Sequence, residues 1–138
     1  MTAFHSHAQP DAAALRLLQS YADQLGGAAP LRAGALAMTV DGQHRIALRA
    51  LPNGTIAVEA RLRSLPEAGA ERDRVLLGAA RLACGTLRES AAACVVDARE
   101  RALWLRHTSR ATSGQDIDDS VGELVNQLAF WRKTVAAV

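Results

Sequence analysis

Two Asx–Gly dipeptides constrain this chain more than anything else in it. Asp41-Gly42 and Asn53-Gly54 each separate short runs in which apolar residues alternate with others. A tight hairpin turn needs positive φ at its central residues, and Asn, Asp and Gly reach that conformation at least cost. Leu36, Met38 and Val40 alternate with Ala37 and Thr39 before the first turn. Ile46, Leu48 and Ala50 alternate with Arg45, Ala47 and Arg49 between the turns, and Ile56, Val58, Ala60 and Leu62 with Ala57, Glu59, Arg61 and Arg63 after them. A period of two marks half-buried strands. Residues 36–65 are therefore expected to form a three-stranded antiparallel meander, apolar on one face, with Arg45, Arg49, Arg61 and Arg63 on the other.

Helical patterns flank the meander. Pro10 suits a first helical turn and Asp11 complements its dipole. Ala14, Leu18, Tyr21, Ala22 and Leu25 then recur at helical spacing, up to a left-handed cap at Gly26-Gly27. After Pro66 and Gly69, a second helix is expected over 71–89, opened by Glu71 and Asp73. It carries two apolar stripes, Val75, Ala79 and Leu82 beside Leu76, Ala80, Ala83 and Leu87. Gly78 and Gly85 each weaken such a helix by about 1 kcal/mol relative to alanine, which points to close approach of another backbone. This helix is either sunk in its own core or shared with a second subunit. Residues 91–96 and 102–108 form a second hairpin, in which Trp104 faces away from Leu103 and Leu105, either packed under a helix or presented as an adhesive spot. Ser113 and Asp116 make a capping box for a last helix along Ile117, Val121, Leu124, Val125, Leu128, Trp131 and Val135. The reading is a flexible tail over 1–9 and one α+β domain over 10–138, in the order αβββαββα.

Composition narrows the function. Only 4% of the 138 residues are aromatic, so a core of Ala, Leu and Val gains less burial per residue, and a partner subunit would add to it. A net charge of +2 creates no strong field for polyanions. The arginine face lacks the exposed aromatics on which RNA bases stack. It reads as a solvated strand face that resists edge aggregation, with phosphate contact as the alternative. Cys84 and Cys94 lie in apolar segments without C-x-x-C spacing and are expected to be reduced, buried thiols. Without an N-terminal apolar run or a run of 18 apolar residues, a cytoplasmic chain with no membrane insertion is expected. His5, His7, His44 and His107 have no zinc-ligand spacing, and no nucleophile elbow or phosphate-binding glycine loop occurs. No metal, cofactor or catalytic residue is expected; Ser, His and Asp brought together only in space are the remaining catalytic route.

The order helix, three-strand meander, helix, hairpin, helix over residues 10–135 resembles the class I type III secretion chaperones, the family that includes the Tir chaperone. The small-residue second helix and the absence of catalytic motifs match as well. The resemblance implies a cytoplasmic bacterial homodimer that binds the N-terminal segment of one secreted effector and keeps it extended until export, without an ATP cycle. It implies dimer contacts through Leu76, Ala80, Ala83, Leu87 and Trp104. Effector patches would lie around Leu17 and Tyr21 on the first helix and around Leu36 and Leu48 on the strands, with strand addition supplying backbone hydrogen bonds. A disordered client that loses about 2–5 kcal/mol on ordering needs an extended track of roughly 1,000–3,000 Å². The competing expectation is a non-catalytic α+β protein-binding or sensory domain of the same topology.

Overall fold

The computed structural model describes residues 9–25, 31–32, 34–86 and 92–136. The tail, the Gly26-Gly27 cap and Leu87 lie outside them or almost wholly so. The elements follow the expected order: α1 (Ala12–Gln24), β1 (Ala35–Val40), β2 (His44–Ala50), β3 (Ile56–Ser64), α2 (Ala70–Thr86), β4 (Ala92–Asp97), β5 (Ala102–Ser109) and α3 (Gly114–Ala136). The strands form one antiparallel sheet in the order β1-β2-β3-β5-β4, so β1 and β4 are its edges.

The two meander turns differ. Asp41 and Gly42 both take positive φ, 54° and 67°, and Gln43 N–H donates to the Val40 carbonyl at 3.1 Å, so the dipeptide holds the two central turn positions as predicted, in a loop of three residues, 41–43, closed by the Val40–His44 pair. At the second turn only Gly54 has positive φ (84°), and Gly54 N–H donates to the Leu51 carbonyl. This loop, 52–54, also has three residues, but Pro52 and Asn53 take the central turn positions and Gly54 follows them, so the Asn53-Gly54 pair is displaced by one residue from its expected place. Pro52 is locked near φ −65°, which suits the second position of an ordinary turn, and Gly54 then supplies the left-handed residue.

All three helices contribute to a core on one sheet face. Leu36, Ile46, Leu48, Ile56, Val58, Leu103 and Leu105 pack there against Leu18, Val75, Ile117, Leu124, Leu128 and Trp131. Helix α3 lies across β3 and β5, α1 lies over β2, and α2 touches β4 and α3. Asp11, expected inside the first turn of α1, is its N-cap and accepts the Ala14 N–H at 3.0 Å, so Pro10 precedes the helix. The Tyr21 hydroxyl donates to Asp118 Oδ1 at 2.6 Å and pins α1 to α3; burial, and then Asp118, raise its pKa. Leu25, expected on the α1 stripe, is exposed where the helix ends. The Ser113 cap of α3 is present: its hydroxyl accepts the Asp116 N–H. Asp116 reaches back one residue further than a capping box does, to Thr112 N and Oγ1, and these bonds hold its carboxyl below the usual range.

One register shift re-aims a side chain. Arg61 pairs with Trp104 but Arg63 pairs with Leu103, so Leu62 is an extra residue in β3. Arg63 therefore leaves the arginine face, where strict alternation put it, and donates from Nη1 to the Val135 carbonyl in the last turn of α3.

Candidate interaction surfaces

Helix α2 buries only Val75 and Ala79, with Leu76, Leu82 and Ala83 half-covered. Leu77 is 52% exposed and Val96, on the neighbouring edge strand β4, is 40% exposed. A cysteine expected to be buried, Cys84, is exposed on the same helix. A Cβ built on Gly85 meets nothing within 4 Å, so no backbone of the described residues approaches it as its retention in a helix predicted. Of the expected dimer residues, Ala80 is exposed and Leu76 and Ala83 lie half-buried beside it on α2. Trp104 lies apart, on the sheet face away from Leu103 and Leu105, between Arg61 and Val95 in register. Sequence reasoning missed Leu77 and Val96. The spacing of Leu77 from Ala80 and Cys84 could have revealed a third, outward stripe.

The expected effector residues divide differently. Leu36 and Leu48 pair across β1 and β2 and are both 0% exposed, so they are interior residues and not a surface patch. Alternation assigns a residue to the apolar face of a sheet, but cannot say whether a helix covers it. Tyr21 is also buried, through its bond to Asp118. Leu17 alone is partly exposed, on α1. Beside this layer, β1 pairs on one side only, with β2, apart from a local bridge between Arg32 and Ala35. Its outer backbone edge is open to another strand among the described residues.

On the other sheet face Glu59 is completely buried, with its Oε1 3.5 Å from Arg49 Nε. Arg106 is its partner across β5. Burial raises the Glu59 pKa, and Arg106 and Arg49 pull it part of the way back.

His107 Nε2 lies 3.5 Å from Glu123 Oε2, but the nearby Ser109 and Ser120 hydroxyls bond each other at 2.9 Å rather than the imidazole. Burial pushes the Cys94 thiol up to about 11, so at neutral pH it is not a thiolate. Among the described residues no group of three His, Cys, Asp or Glu side chains could hold a metal ion, and no helix is long and apolar enough to cross a membrane.

No protein-family model and no curated protein sequence matches the chain. Solved structures do match in fold. A chain of the HopA1–SchA chaperone–effector complex aligns over 91% of this chain and 99% of its own, with a TM-score of 0.61 and 16% identity. A chain of the heterodimeric ExoU–SpcU complex, from the type III secretion system of Pseudomonas aeruginosa, aligns over 88% and 99% with a TM-score of 0.62 and 12% identity. The structure of the Yersinia pestis type III secretion chaperone SycH with a fragment of YscM2 aligns over 86% and 98%, with a TM-score of 0.54 and 16% identity. The chain thus has the α+β fold found in these chaperone complexes, along nearly its whole length.

Proposed function

We propose that the protein is a type III secretion chaperone, one that holds the N-terminal segment of a secreted effector extended in the bacterial cytoplasm until export. The observation that carries this reading is a fold shared end to end with chains of chaperone–effector complexes. Two surfaces support it physically. The apolar strip of Leu76, Leu77, Ala80, Ala83 and Val96 is the proposed dimer contact; Leu87, outside the described residues, and Trp104, on the opposite sheet face, remain proposed contacts of the resemblance alone. The open edge of β1, next to Leu17, is the proposed track for the client; Tyr21, Leu36 and Leu48 support it from beneath. Backbone pairing along an edge gives affinity with few sequence demands, which suits a chaperone without chemistry.

Leu77→Arg should turn the dimer into a folded monomer. The side chain is half-exposed in one chain, so the charge is tolerated there and becomes unpaired only in the interface. Light scattering reads the mass and circular dichroism the fold. An unchanged dimer in both Leu77→Arg and Ala83→Arg would remove α2 from the contact.

A further inference from the structure

Where β2 begins, β3 ends and α3 closes, the structure has a cleft of about 390 Å³. Arg45, Arg61, Arg63 and Arg132 line it with Gln43, Leu62 and Ser64, and no carboxylate among the described residues does. A second hollow of about 310 Å³ shares Leu62, Arg63 and Arg132 and continues to Val135, which makes the pair one trough with an apolar strip along it.

The trough is built, not incidental. The bulge at Leu62 turns Arg63 away from the arginine face and into it. Arg63 Nε donates to the Ser64 carbonyl and its Nη1 to Val135. Arg61 Nη2 donates to Ser64 Oγ at 2.8 Å, and Arg132 bridges His44 Nδ1 and the Arg61 carbonyl. These neutral partners orient the guanidinium forks without neutralising them. Each fork has five donors, so most remain for a ligand. The Arg45 side chain is exposed and makes no hydrogen bond or ion pair among the described residues. Like charges gathered this way repel one another, and an anion between them relieves that repulsion.

We infer that the trough is a docking site for an acidic peptide segment. Planar guanidinium forks match carboxylates two bonds at a time, and the Leu62–Val135 strip accommodates the apolar part of an extended chain. Nucleic acid fits less well, because no aromatic side chain among the described residues lines the trough to stack a base. Position favours a peptide too. Thr39 pairs with Arg45 and Val40 with His44, so the trough lies at the same end of the sheet as the Val40 end of the open β1 edge, with β1 between them. The identity of the peptide's owner, the secreted client, rests on the chaperone reading; the site itself does not.

The test uses the full chain and a fluorescein-labelled octaglutamate peptide, read by anisotropy. Octaglutamine, inorganic phosphate and a short oligothymidine are the comparisons. Octaglutamate should bind saturably, octaglutamine should not, and raising salt from about 50 to about 200 mM should weaken binding. Arg45→Gln with Arg132→Gln should weaken it about tenfold or more, the scale of losing two charge-assisted contacts. Arg99→Gln, exposed in the turn between β4 and β5 and outside the trough, should leave it unchanged. Three results would overturn the inference: no octaglutamate binding, equal binding by the double variant, or tighter oligothymidine binding lost in that variant. Phosphate displacing the peptide at equal charge concentration would reduce the trough to a simple anion site and overturn it as well. A protein that binds octaglutamate yet is monomeric and captures no client would refute the chaperone reading and leave the trough standing.

Discussion

Trp131→Ala is expected to lower stability by about 3–5 kcal/mol, the range for emptying a buried aromatic site. Trp131 is among the largest fully buried side chains, at 0% exposure, where α3 meets the sheet. Apart from Trp131, the buried members of the described core cluster include one ring, Tyr21, which its bond to Asp118 holds in place. Domains of this kind are stable by only about 5–15 kcal/mol, so the loss takes a large share of the total. The indole Nε1 is buried without a hydrogen-bond partner among the described residues. Trp131→Phe should therefore cost much less, because it loses volume but also removes an unsatisfied donor. Urea denaturation of the two variants separates the effects; equal losses would mean that the indole N–H is satisfied after all.

Arg49→Ala should cost about 2–3 kcal/mol at neutral pH, somewhat below the usual range for breaking a buried ion pair, because Arg106 remains. The substitution leaves the buried Glu59 carboxylate with less compensation. Glu59 already has a raised pKa in the folded protein, so folding favours its protonated form. The stability linked to that proton is complete below the unfolded value and is lost as pH rises through the folded one. Removing Arg49 raises the folded value further. The deficit relative to the wild type should therefore be greatest at neutral pH and shrink on acidification toward the ordinary carboxylate range. Adding Glu59→Leu to Arg49→Ala should recover most of the loss, since an apolar side chain needs no counter-charge. A deficit independent of pH would assign the effect to lost packing of the arginine stem.

The element order was legible because its signals are local. Period-two runs, helical stripes and the Ser113 cap each act within a few residues, and all survive in the structure. Asp41-Gly42 holds the centre of its turn as its φ preference predicts, whereas Pro52 takes the first central position of the second turn and shifts Asn53-Gly54 along by one. What failed was long-range. Nothing in the alternation of Leu62 and Arg63 announces a bulge, yet that extra residue moves Arg63 from one sheet face to the other. Leu36 and Leu48 look the same in sequence whether a helix covers them or not; here α1 closes over β2. Leu77 went unnoticed because α2 is apolar on so much of its circumference that the outward stripe does not stand out.

The most direct test of the chaperone reading is light scattering on the complex purified from the native cell, with limited proteolysis of whatever protein accompanies it. The account predicts one secreted protein per two copies of this chain, with a protected N-terminal segment that is cleaved once the chaperone is removed. A monomer that purifies without a client, or a partner bound through a folded domain with its N-terminus unprotected, would contradict it.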